Sequence, residues 1–130
     1  MKILVIDDDQ MVRYTLSKIL RNAGNEVTLA EDGARGMAML RTEHPDVVIT
    51  DIIMPEQEGF ETIAKIRQDY PDIKIMAISG GLRQGNLDVL SMAAALGADD
   101  VLSKPFELRD LLSRLSRLGV GTATSADSKP

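Results

Sequence analysis

Short apolar runs alternate with amphipathic stretches along this chain, and the alternation predicts five β–α units in series. Residues 2–6 are β-branched and Leu-rich and read as a buried strand. Val12, Leu16, Ile19 and Leu20 then recur at helical spacing over 10–23, where Gly24 stops the helix. Residues 26–30 form a second strand. A helix over 33–43 carries Met37 and Leu40 on one face and closes at His44-Pro45. Residues 46–50 form a third strand whose middle, Val47-Val48-Ile49, is apolar without interruption, as expected of a central strand covered on both faces. A helix over 59–69 buries Phe60, Ile63 and Ile66 and is broken by Pro71. A fourth strand at 73–78, a helix at 87–96, a short strand at 100–103 and a Leu-rich helix at 107–118 complete the order. Such a series predicts a doubly wound parallel α/β sheet with right-handed crossovers and helices on both faces. Residues 1–118 are expected to form one domain. Residues 119–130, rich in Gly, Thr, Ser and Ala, read as a disordered tail or the stub of a linker.

The polar residues that end these runs carry the chemistry. Asp7 and Asp8 follow Ile3-Leu4-Val5-Ile6, and Asp51 follows Val47-Val48-Ile49-Thr50. Ser79 follows Ile75-Met76-Ala77-Ile78, and Lys104 follows Val101-Leu102-Ser103. Ligands of open α/β sheets bind at the carboxyl ends of the strands. Parallel neighbours would therefore bring three carboxylates, a hydroxyl and an ammonium to one spot. Carboxylates held close together repel, and a divalent cation resolves the repulsion; Mg²⁺ takes one or two carboxylates together with waters and phosphate oxygens. The bland reading of Asp7-Asp8-Asp9 is a solvated turn and helix cap. For Ser79 it is a turn residue, and for Lys104 a surface lysine. The coincidence of all of them at strand ends favours a site. Asp51 is the candidate nucleophile, since a carboxylate can take up a phosphoryl group. Lys104 suits a phosphate oxygen as a point charge, and Ser79 can donate a hydrogen bond to another.

Composition narrows the classes. In 130 residues, aromatics make up 3%, so the core is built from aliphatic residues and Met, and the net charge of −5 with no basic stripe argues against a nucleic-acid partner. There is no cysteine, which excludes disulfides and thiolate metal sites. No apolar run reaches membrane-spanning length, and the N-terminus reads as a strand, so a cytoplasmic location with no membrane partner is the default.

The whole pattern closely resembles the receiver domain of two-component response regulators, the CheY-like family. The resemblance rests on Ile3 to Asp9, on Asp51-Ile52-Ile53-Met54-Pro55 with Gly59 and Glu61, on Ser79-Gly80, and on Gly97 through Phe106. It implies a flavodoxin-like (βα)5 fold and a signalling module, not an enzyme. In the family's terms Asp51 takes a phosphoryl group from a histidine kinase or histidine phosphotransfer protein. Asp8 ligates Mg²⁺ directly and Asp7 through water, with Asp51 and the backbone carbonyl of Ile53 also on the metal. Lys104 binds the phosphate, Ser79 moves toward it, and the Lys104-Pro105 bond is commonly cis. Helix 10–23 would dock the kinase. The face of the fourth helix, fifth strand and fifth helix would meet a downstream protein target or a second copy in a homodimer.

Two departures from the family pattern stand out. Val101 occupies the place where many receivers carry Tyr or Phe, and the stretch from Gly80 to Asn86 is longer and richer in glycine than usual. The expectation is that this loop, rather than a ring, changes its order on phosphorylation. Competing readings are weaker. A small aspartate-nucleophile phosphatase needs an acid two residues after the nucleophile, where this chain has Ile53. A flavin-binding protein needs a Ser/Thr/Gly-rich loop where this chain has three aspartates. A phosphorylation-independent pseudo-receiver scaffold would not need Asp7, Asp8, Asp51, Ser79 and Lys104 together. His44 is expected to be exposed, Met37, Met39, Met76 and Met92 to fill core or helix faces, and Arg13, Arg83 and Arg109 to be solvated.

Overall fold

A computed structural model of the chain describes residues 1–52, 58–79, 86–103 and 106–119, with side chains described for the same residues except 58, 79, 86–90 and 119. The strands are β1 (Lys2–Ile6), β2 (Glu26–Ala30), β3 (Val47–Asp51), β4 (Lys74–Ser79) and β5 (Asp100–Ser103). The helices are α1 (Gln10–Asn22), α2 (Gly33–Glu43), α3 (Glu58–Asp69), α4 (Asn86–Leu96) and α5 (Leu108–Gly119). Each lies within a residue of the expected span. All strand pairs are parallel, and the order is β2-β1-β3-β4-β5. The chain steps outward from β1 to β2 and then crosses back to β3, so the switch point lies between β1 and β3.

Alternate residues of the central strands feed two cores, which is why their sequences read as unbroken apolar runs. Leu4, Ile6, Val48, Ile75 and Ala77 pack with Leu40 of α2, Ile63 and Ile66 of α3 and Ala93 of α4. Ile3, Val5, Val47, Ile49, Met76 and Ile78 pack on the opposite face with Leu16 and Leu20 of α1 and Leu111 and Leu115 of α5. The fold is therefore the flavodoxin-like α/β arrangement. Met76 is buried, while Met92 is 53% exposed on α4. His44 is exposed and ends α2 with φ 50°.

Two arginines fasten elements that apolar packing leaves at the rim. Arg114 on α5 donates to Asp110 at 3.2 Å and to Asp100 of β5 at 2.7 Å. Burial alone would lower its pKa, but the hydrogen bonds and charges of Asp110 and Asp100 outweigh that and raise it above the ordinary value. Arg67 on α3 reaches Gly97 and Asp99 beyond α4 at the opposite end of the sheet from the acidic residues. The expected tail at 119–130 lies outside the described residues apart from Gly119, which ends α5.

Candidate functional site

Asp7 and Asp8 stand immediately after β1, and Asp51 is the last residue of β3, the strand beside it. Ile6 pairs with Thr50, so the two strands run out together and deliver the three carboxylates to the switch point. One carboxylate oxygen from each of Asp7, Asp8 and Asp51 lies within 4.8 Å of the others. Asp7 is 1% exposed and Asp51 6%, whereas Asp8 faces solvent. Two buried acids and one open one give a cluster fixed on the protein side and accessible from outside.

The turn that carries Asp7 and Asp8 is tied at several points. The Asp7 N–H donates to the Ala30 carbonyl at 3.1 Å, extending the β1–β2 ladder by one bond. The Asp7 carboxylate accepts from the Asp9 N–H at 2.8 Å. Asp9 caps α1 by accepting from the Met11 N–H at 2.9 Å. The capping reading of the acidic triplet thus holds for Asp9, while Asp7 and Asp8 turn to the cluster. Arg13 corrects an expectation. It is half-buried, not solvated, because its guanidinium reaches back to donate to the Asp7 carbonyl at 2.6 Å.

Ser79 ends β4 and lies in register with Ser103, the last residue of β5. The Ile52 N–H donates to the Ile78 carbonyl at 2.9 Å, so β3 and β4 stay joined just beyond Asp51. The side chain of Ser79 lies outside the described residues, as do Lys104, Ile53, the Lys104-Pro105 bond, Arg83 and the loop at 80–85. Lys104 follows Ser103 directly in the chain. Val101, in the place of the family's usual ring, is half-buried against the core. It lines a groove of about 700 Å³ together with Phe106, Arg109 and Asp110.

Gly59 stands where α3 begins against the end of β3, and the backbone there leaves no room for a side chain. A Cβ built there would stand 2.6 Å from the Asp51 carbonyl oxygen and 2.6 Å from the Ile52 Cα. Both are backbone and cannot swing aside. Gly59→Ala is expected to push the start of α3 away from the end of β3, at a cost of about 1–3 kcal/mol by overpacking. Urea unfolding of the full chain measures it, and an unchanged midpoint would count against so close a contact.

The donor set fits a hard divalent cation. All three groups that could hold it are carboxylates, and cysteine is absent. Asp8 opens the cluster to solvent, from which a cation of this kind would keep several waters.

Comparison with known proteins decides the family. Residues 3–116 match the model of the response regulator receiver domain. The chain belongs to the receiver domain family of response regulators. Response regulator MprA of Mycobacterium avium (strain 104) is 36% identical over 122 residues, covering 91% of this chain and 50% of that protein. The chain thus spans about half the length of the curated relatives it matches. Among solved structures, a response regulator receiver domain protein from Clostridium thermocellum superposes with a TM-score of 0.82 at 31% identity, covering 90% of this chain and 92% of that one. The Vibrio cholerae chemotaxis protein CheY4 does so with a TM-score of 0.80 at 32% identity, covering 90% and 97%. Among the described residues of this receiver domain no helix is long and apolar enough to cross a membrane.

Proposed function

We propose that this receiver domain is a phosphoacceptor. Asp51 takes a phosphoryl group, with Mg²⁺ present, from the histidine of a kinase or phosphotransfer protein, and the change in the domain alters what it binds downstream. The observation that carries this reading is the meeting of Asp7, Asp8 and Asp51 at the switch point of a receiver fold. Asp8, Asp7, Asp51 and the backbone carbonyl of Ile53 would hold the Mg²⁺, which supplies charge neutralisation for the phosphoryl oxygens.

The chain's own part is alignment and charge. The Asp51 carboxylate forms the new O–P bond as the bond from phosphorus to the donor's imidazole nitrogen breaks, and the imidazole keeps the electron pair. Lys104 balances the charge of a second phosphoryl oxygen, and the Ser79 hydroxyl hydrogen-bonds a third. Loss to water reverses the modification, so the domain is a signalling module and not an enzyme with an outside substrate. Residues 1–118 act as the unit, in the cytoplasm.

The kinase-side partner meets α1. Met11 is 69% exposed and Tyr14 58%, both on the helix that Asp9 caps beside the cluster. The Lys18 ammonium lies 5.6 Å from the centre of the Tyr14 ring and holds it against the helix. Exposed apolar side chains next to a reacting centre suit a helical partner that carries the donor histidine.

The test is phosphoryl uptake by the full chain from labelled acetyl phosphate with and without Mg²⁺. Base-labile label that appears only with Mg²⁺ and maps to Asp51 is expected. A chain that takes no label and gives no response to beryllium fluoride with Mg²⁺ sinks the proposal, because beryllium fluoride needs the pocket but no donor.

A further inference from the structure

We infer that Arg13 is a positioning residue for the acidic site: by holding the Asp7 carbonyl it sets the turn that presents Asp7 and Asp8 to a divalent cation. The inference rests on the function proposed above and assigns a part of it to a residue outside the cluster.

The bond falls at an influential place. The Asp7 carbonyl and the Asp8 N–H belong to one planar peptide unit. Holding that carbonyl therefore fixes the direction in which Asp8 leaves the strand. Asp7 is almost fully buried, and a buried carbonyl without a partner is costly. Arg13 provides one at 2.6 Å, from the first turn of α1. The Arg13 N–H also donates to the Asp9 carbonyl at 3.0 Å, and the Asp9 N–H donates to the Asp7 carboxylate at 2.8 Å. Residues 7, 9 and 13 thus close into a ring around Asp8. Asp8 is the exposed member of the cluster and has no core packing to orient it. The neighbouring arginine at this corner is committed elsewhere, since Arg35 pairs with Glu31 at 3.0 Å and Asp32 at 3.8 Å.

Charge alone would give Arg13 the opposite effect. A guanidinium beside a cation site repels the cation, so removing it should tighten binding if charge were all that mattered. Positioning predicts weaker binding on removal. The sign of the change separates the two roles.

The experiment is a Mg²⁺ titration of the full chain followed by amide NMR, on wild type, Arg13→Met and Arg13→Lys, with thermal unfolding measured in the absence of Mg²⁺. Arg13→Met keeps the stem and loses both donor and charge. Its dissociation constant is expected to rise on the order of tenfold, the usual scale for losing a group that orients a metal ligand. Arg13→Lys retains a donor able to reach a carbonyl and is expected to recover most of the loss. Unchanged or tighter binding in Arg13→Met overturns the inference, and so does a lowered melting temperature with unchanged Mg²⁺ affinity. Should Arg13→Met fail to fold, Arg13→Gln, whose side chain is too short to reach the Asp7 carbonyl, decides in its place: a dissociation constant raised several-fold supports the inference, and wild-type or tighter binding overturns it. A wild-type chain that does not bind Mg²⁺ overturns the proposed function and the inference with it, a pattern distinct from failure of the inference alone.

Discussion

Asp51→Asn is expected to abolish phosphoryl uptake and, in the same protein, to raise the melting temperature measured without Mg²⁺. The first effect follows from chemistry. An amide oxygen is a poor nucleophile toward phosphorus, and no other carboxylate of the cluster sits at the end of β3. Label from acetyl phosphate should drop to background. The second effect follows from charge. Asp51 is 6% exposed and within 4.8 Å of two other carboxylates. At an effective dielectric constant of ~20, two unit charges at that separation repel by ~3 kcal/mol, and the exposed position of Asp8 reduces its share. A gain on the order of 1–2 kcal/mol is expected from replacing one charge by a neutral amide of the same shape. Adding Mg²⁺ should stabilise the wild type by mass action and leave the variant nearly unchanged, closing the gap between them. Melting curves of both proteins across a Mg²⁺ series test this. A variant less stable than wild type without Mg²⁺ would mean that Asp51 contributes more to holding the fold than it loses to repulsion.

That trade between stability and function explains why the site was legible in the sequence. Nothing in folding alone calls for acids at the ends of two adjacent buried strands, so Asp7, Asp8 and Asp51 stood out against the apolar runs before them. The strands were legible for the same reason: β1, β3 and β4 are covered on both faces and leave no polar alternation to confuse with a helix. The boundaries shifted by a residue where a polar side chain ends a strand, as when Asp51 joined β3. Arg13 and Arg67 could not be read this way. Their partners are mostly backbone carbonyls, which every residue has, so no pairing of residue types betrays them. Gly59 was visible as a glycine, but its need to approach the Asp51 and Ile52 backbone appears only when α3 is laid over β3.

Arg67→Ala is expected to cause the largest loss of stability of any polar substitution at the rim, while sparing the chemistry. The guanidinium donates to the Gly97 carbonyl from Nε at 3.1 Å and from Nη2 at 2.8 Å. It donates to the carbonyls of Pro71 at 2.8 Å and Ile73 at 3.0 Å, and to the Asp99 carboxylate at 2.6 Å. That carboxylate oxygen also accepts from the Ile75 N–H at 2.8 Å. One side chain thus joins the end of α3, the entry to β4 and the turn between α4 and β5. Gly97 packs against it with φ 124°, a conformation that glycine adopts without strain, and a Cβ there would stand 2.8 Å from the Arg67 Cγ. Removal leaves the Gly97 and Ile73 carbonyls without this donor and Asp99 without its cation. The expected cost is on the order of 2–4 kcal/mol, or a fall in melting temperature of roughly 10 °C for a domain of this size. Arg67→Lys should recover little, because an ammonium cannot span carbonyls on opposite sides of a planar fork. The clamp lies at the amino ends of β4 and β5, about 16 Å along β4 and about 10 Å along β5 from the residues that end them at the site. Label uptake by folded Arg67→Ala at low temperature should therefore match wild type. A variant that melts normally would show that water replaces the clamp at no cost, and one that stays folded but takes no label would mean that the two ends of the sheet are coupled.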